Sequence, residues 1–263
     1  MKKLIIRLLI ALVVVVILAV VAVGLFLDGA VKKGVETFGP RLTKVVIKLK
    51  SVNLSILSGS GSFKGLVVGN PEGFKTPSAI SVGTATLALK PGSLLSDKII
   101  IKSINIQGPE ITYETDLRHD NLSKILSNVQ EASGGGGQQP AKPNEPAQPT
   151  EAKAGKKLEV DEFVITGGQI HVTLTSALGG GAETIPLPEI RLQDLGKDSA
   201  GITYGELLEL VLKAIKEPVQ KAASGAVNNI AKGAINLPMD TGGLRTNAVD
   251  TVTKGLGGLL KQK

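Results

Sequence analysis

Leu8 to Leu27 reads LLIALVVVVILAVVAVGLFL, a run of about 20 residues without a charge. At about 1.5 Å of rise per residue, a helix of that length matches the ~30 Å hydrocarbon core of a bilayer. A cleaved export signal is the rival reading. Its apolar region is usually only about 7–15 residues and ends in a small-x-small site. This run is longer, and Leu25-Phe26-Leu27-Asp28 is a poor cleavage site, so an uncleaved anchor over residues 1–30 is expected. Lys2, Lys3 and Arg7 precede the run, while Lys32, Lys33 and Arg41 follow it. With so few residues before the span, the basic N-terminus is expected to stay cytoplasmic and the rest of the chain to lie across the membrane.

The rest of the composition excludes more than it specifies. The 263 residues carry 3% aromatics and no Trp or Cys. Without cysteine there are no thiolate metal sites and no cysteine nucleophile. The net charge of +7 is spread along the chain. No arginine cluster and no interleaved aromatics of the kind single-stranded nucleic acid stacks on accompany it. Nucleic acid is therefore not an expected partner, whereas a membrane surface is.

After the anchor the period changes to two. Val45, Ile47 and Leu49, then Val52, Leu54 and Ile56, alternate with more polar neighbours, the pattern of a half-buried strand. Similar segments lie near Gly61–Val68, Ile80–Leu89, Lys98–Ile106 and Glu110–Glu114. Turn signals at Ser58-Gly59, Asn70-Pro71, Lys90-Pro91-Gly92 and Gly108-Pro109 separate them. Strands so closely spaced predict antiparallel pairing. The run Ile99–Ile106 (IIIKSINI) breaks strict alternation, which predicts a bulge or burial on both faces.

Asp120–Val129 predicts a short helix, capped by Asp120 or Asn121, with Leu122, Ile125, Leu126 and Val129 on one face. Residues from about 132 to 156 are rich in Gly, Pro, Ala and Gln and read as a disordered loop. Strands resume at Lys157–Thr166, Gln169–Thr175 and Thr184–Leu192, with Gly167-Gly168 as a hairpin turn between the first two. The loop thus interrupts one sheet within a β domain spanning 31–202. The tail, 203–263, is helical: Leu207, Leu208, Val211, Leu212 and Ile215 form a stripe that Val219, Ala223, Ile230 and Ala234 extend past a kink at Pro218. A second amphipathic segment covers Asn247–Leu260.

No catalytic constellation emerges, and the chain reads as no enzyme, with no cofactor and no metal. His119 lies near Asp116 and Asp120, but zinc needs three or four ligands, so a solvated turn is the simpler reading. His171 reads as a surface strand residue. Glu110, Glu114 and Asp116 alternate along one strand, the pattern of a charged outer face. In VVGNPEGF (Val67–Phe74) no helix start follows that could cradle a phosphate, so it reads as a turn.

The order of segments is similar to that of the AsmA family. An anchor precedes GSGSFKGLVVGNPEGF (Gly59–Phe74) and AISVGTATLALKPGSLLSDKIIIKSINIQGPEITYE (Ala79–Glu114). DNLSKIL (Asp120–Leu126), a low-complexity loop, Ile185-Pro186-Leu187-Pro188 to Gly196, and GITYGELLELVLKAI (Gly201–Ile215) follow. The resemblance implies a single-pass bacterial inner-membrane protein whose bulk is periplasmic. Its fold would be mainly β with a C-terminal α tail, an antiparallel sheet curved into a taco-like groove. It also implies phospholipid traffic or support of outer-membrane biogenesis, with acyl chains on an apolar wall. The residues assigned to that wall are Val45, Ile47, Leu49, Val52, Leu54, Ile56, Val82, Ile104, Ile106, Ile170, Val172 and Leu174. Nine strands at about 4.8 Å would give a groove about 40 Å long, too short to bridge an envelope alone. The competing expectation is an assembly scaffold that binds envelope proteins through the sheet and tail helices.

Overall fold

The computed structural model describes residues 26–134, 156–176, 179–198 and 200–235. The anchor run therefore lies outside the described residues except for Phe26 and Leu27, as do nearly all of the 132–156 loop and the Asn247–Leu260 segment. Among the described residues no helix is long and apolar enough to cross a membrane.

The first element is a helix, α1 (residues 26–43), which the strand pattern gave no sign of. Lys44, at φ 58°, ends it by donating its N–H to the Pro40 carbonyl at 2.9 Å. That is the left-handed C-terminal cap that satisfies a last-turn carbonyl. The helix runs along the outer edge of β1 (Ile47–Ser55). Asp28 Oδ1 accepts the Leu54 N–H at 2.8 Å and Glu36 Oε1 accepts the Leu49 N–H at 2.9 Å. Two carboxylates thus occupy edge donors that would otherwise invite a foreign strand.

Eight further strands follow: β2 (Ser60–Gly69), β3 (Ser78–Leu89), β4 (Lys98–Gln107), β5 (Glu110–Thr115), β6 (Lys157–Thr166), β7 (Gln169–Ser176), β8 (Gly179–Pro186) and β9 (Ile190–Leu195). All nine belong to one sheet. The sheet is mixed and not antiparallel throughout as the spacing predicts, because β4 pairs β6, and β5 pairs β7, in parallel. The crossover that parallel pairing needs comes from the long connection holding helix α2 (Asn121–Ala132).

A second correction concerns Gly167-Gly168, which is no hairpin turn. β6 and β7 do not pair with each other; both lie alongside the β4–β5 stretch in one unbroken register. Gly108-Pro109 likewise joins β4 to β5 end to end, both against the same edge of β3. β8 and β9, separated by Leu187-Pro188-Glu189, continue each other along β7 and β6. Three pairs of strands are therefore three long strands with a break in each. The sheet is six strands wide, about 24 Å at ~4.8 Å per step, and not about 40 Å.

The breaks line up. Interpolating the register sets Gly65 beside Gly83, Gly83 beside Gly108, Gly108 beside Gly167 and Gly167 beside Pro188. Gly65, Gly108 and Gly167 have φ of 62°, 57° and 64°, a conformation that costs other residues roughly 1–2 kcal/mol. A Cβ on Gly65 would also sit 2.8 Å from that of Lys50. Pairing continues through the seam, with Gly108 N–H on Thr166 O at 2.8 Å and Gln169 N–H on Pro109 O at 2.9 Å. Local left-handed residues bend a strand without breaking its ladder, so the column of glycines creases the sheet into two walls. One wall, here the near wall, holds β4, β6, β9 and the later half of β1. The far wall holds β5, β7, β8 and the first half of β1.

Two helices lie on the apolar face of the sheet. Helix α2 begins at Asp120, whose Oδ1 caps the Ser123 N–H at 2.8 Å, and it buries Leu122, Ile125, Leu126 and Val129 as its spacing predicts. Helix α3 (Tyr204–Ile235) runs through Pro218 as one element. It buries Leu212, Ile215, Val219, Ala223, Ala226 and Val227.

Candidate functional site

Residues paired directly across strands share a face, so the register alone shows what lines the trough. One row on the near wall reads Leu54, Gly61, Leu87, Ile104, Phe163, Leu192, and the next reads Val52, Phe63, Ala85, Ile106, Ile165, Ile190. Beyond the crease, a far-wall row reads Ile47, Val68, Ile80, Ile111, Ile170, Ile185. Closer to the near lip, pairing lapses at Lys102-Ser103 opposite Asp161-Glu162, and the apolar residues resume one position out of step at Ile101 and Val160. That slip accounts for IIIKSINI: its isoleucines change parity so that Ile99, Ile101, Ile104 and Ile106 keep to one side. The lining is almost wholly aliphatic.

The trough is filled unevenly. Helices α2 and α3 pack on β5 to β9, and there Ile111, Val160, Ile165, Ile170 and Val172 are fully buried. Against β1 to β4 the helices make only slight contact. Leu54, Phe63, Leu66, Leu87, Ile99, Ile104 and Ile106 stay partly exposed there, a strip of apolar wall that α2 and α3 leave largely uncovered.

The twelve residues assigned from sequence divide along this line. Ile170, Val172 and Leu174 lie beneath the helices, and Val45, Leu49, Val52 and Val82 are also buried. Leu54, Ile104 and Ile106 are half-buried in the strip, whereas Ile47 lies in the far-wall row and packs against Gly39 of α1. Ile56 has left β1 and sits half-buried in the following turn. Phe63, Leu66, Leu87 and Ile99 belong to the strip but were not in the sequence assignment. Gly65 shifts the parity of β2, so Phe63 falls in line with Leu66 only once that bulge is known.

The far lip is built differently. Glu114 is not part of a charged outer face: it is 1% exposed and fully hydrogen-bonded. It accepts the Lys75 N–H at 2.8 Å, the Thr76 N–H at 2.8 Å, the Thr76 hydroxyl at 2.6 Å and the Thr175 hydroxyl at 3.3 Å. Burial opposes ionisation, but these donors outweigh it and hold the carboxyl below its ordinary pKa,. Asn121 links the same region. Its Oδ1 accepts the Glu114 N–H at 3.1 Å, and its Nδ2 donates to Asn70 Oδ1 at 2.8 Å and to Thr112 O at 2.7 Å. VVGNPEGF is thus the start of a loop clamped onto the sheet by a buried carboxylate. Nearby, burial first and the Asp120 charge second push the Tyr113 phenol up to about 12. A hollow of about 840 Å³ opens here, lined by Glu72, Lys75, Asp116, Arg118, His119 and Lys124 among others. His119 is exposed and 3.3 Å from Asp116, and His171 contacts Thr184 Oγ1 at 3.0 Å. Among the described residues no cluster of three potential metal ligands occurs.

No curated protein and no solved structure matches the chain. A family model, the AsmA family, matches residues 1–177, from the N-terminal run through β7. That span holds the apolar run Leu8–Leu27, α1, α2, the strip on β1–β4 and the far-lip network, and it leaves β8, β9 and α3 outside. The chain belongs to the AsmA family.

Proposed function

We propose that this chain is an inner-membrane-anchored protein with its bulk in the periplasm. It holds a phospholipid acyl chain against the uncovered strip on β1–β4 and helps pass phospholipid on in outer-membrane biogenesis. AsmA membership points to a role in the bacterial envelope; the observation that carries the finer reading is the strip itself. An aliphatic wall with no polar group to orient a substrate suits a hydrocarbon tail, whose binding comes from area removed from water. One leaflet of a ~30 Å hydrocarbon core is about 15 Å deep, and the uncovered strip, four strands or about 14 Å at ~4.8 Å per step, matches a tail of that length. It does not span an envelope, so delivery would need a partner.

Phospholipid co-purifying with the full chain in mild detergent, measured by mass spectrometry, tests this. Wild type should retain lipid and Leu87→Glu/Ile104→Glu should lose it. Equal amounts on both would overturn the reading. A second reading, a non-catalytic scaffold that binds envelope proteins through the sheet and tail, is favoured by one observation: α2 and α3 already fill the β5–β9 part of the trough.

A further inference from the structure

Among the described residues, seven large apolar side chains are conspicuously exposed: Phe26, Phe38, Val46, Leu57, Leu95, Tyr204 and Leu210. Four of them gather at one place, the near lip. Leu57 (79% exposed) tops the β1–β2 turn, and Leu95 (95%) ends the short 3₁₀ turn Pro91–Leu95 between β3 and β4. The two turns are packed together, with Leu89 N–H on Gly59 O at 2.7 Å. Tyr204 (55%) starts α3 beside the first residues of β6, where Leu158 and Ile202 exchange backbone hydrogen bonds at 2.7 and 2.8 Å. Phe26 (79%) is at the same lip because α1 runs antiparallel to β1, its Asp28 end held at Leu54. Phe38, at the other end of α1, is by contrast partly masked by the Arg41 guanidinium, 5.2 Å from its ring centroid.

The chain arriving at Phe26 is the uncharged run that begins at Leu8. Apolar tips clustered around the exit of such a run, with a tyrosine at the margin, are the pattern of a surface that meets a bilayer interface. Charge at the lip is balanced: Lys90, Lys98, Lys156, Lys157 and Lys197 stand against Asp97, Glu159, Asp194, Asp198 and Glu206, with Lys98 paired to Glu159 and Lys197 to Asp194. Attraction to anionic headgroups is therefore not what draws it there.

We propose that the near lip rests on the membrane surface, with Leu57 and Leu95 inserted among the headgroups. The trough then lies with its mouth along the bilayer, and the open strip is continuous with the acyl region. The proposal rests on Leu8–Leu27 being a bilayer span and not on the trough carrying lipid.

The absence of native cysteine makes the test direct. Single variants Leu57→Cys, Leu95→Cys, Val46→Cys and Leu12→Cys of the full chain, labelled with an environment-sensitive nitrobenzoxadiazole dye, are reconstituted in phosphatidylcholine vesicles with and without doxyl-lipid quenchers. The expected result is blue-shifted, lipid-quenched emission at 57, 95 and 12, water-like emission at 46, and no change on adding anionic lipid or salt. Quenching at 12 alone would overturn the docking while leaving the anchor standing. A blue shift at 57 and 95 without lipid quenching would also overturn it, in favour of a protein occupant such as residues 236–263 or a second copy. Neither result depends on whether lipid co-purifies, so this failure is distinct from failure of the trough reading.

Discussion

The β5–β9 and β1–β4 parts of the trough share one lining chemistry and differ in what lies against it. Across β5–β9, isoleucines and valines of both walls sit under α2 and α3, and the far lip is closed by Glu114, Asn121 and their donors. Across β1–β4, the same residue types on the near wall stay partly exposed, and the near lip ends in the exposed Leu57 and Leu95. An aliphatic row on a strand therefore marks a surface that leaves water without specifying what covers it. Here part of that cover is the chain's own, and the rest is the part available for function.

Truncation should separate the two parts by magnitude. Ile170→Ala, at a fully buried far-wall site, should cost about 3 kcal/mol in denaturant unfolding. A loss below 1 kcal/mol would mean that the far wall is not packed as described. Glu114→Ala strands four donors and should cost about 2–3 kcal/mol. Glu114 also predicts a pH dependence. Its folded pKa lies below the ordinary value, so its stabilisation is complete above the ordinary glutamate range and fades as pH falls through the folded pKa. The Lys75 and Thr76 amide shifts should move with that titration, and Glu114→Gln should abolish the movement; unaltered shifts would rule out the clamp. Gly108→Ala meets no crowding, its nearest atom lying 3.8 Å away, so it isolates the cost of the positive φ at about 1–2 kcal/mol. The smallest effect is expected on the open strip, where Ile104→Ala should cost about 1 kcal/mol of stability yet reduce retained lipid. The reverse pattern at Ile104 and Ile170 would erase the distinction between the two parts.

Much of this was legible in the residues, and what was not has identifiable causes. Strand locations followed from alternation, and the α2 cap from Asp120 three residues before Ser123. The parallel pairing was hidden because the crossover runs through a segment whose composition reads as disorder. Gly167-Gly168 carries a strong turn signal, but two glycines at left-handed or open conformations bend a strand as readily as they reverse it. Only its neighbour Gly108 and the register reveal which. Helix α1 was obscured by the apolar run before it, and Glu114 looked like solvated charge because its donors come from Lys75 and Thr76, almost forty residues earlier, and from Thr175, 61 residues later.

Photocrosslinking the full chain in its own membranes, with phospholipid carrying a diazirine at the acyl terminus, tests the central claim most directly when adducts are mapped by peptide mass spectrometry. Adducts are expected on the open strip, at Phe63, Leu87, Ile104 and Ile106, with none at Ile170 or Val172. Adducts confined to Leu8–Leu27, with the strip unlabelled, would rule out lipid on the strip.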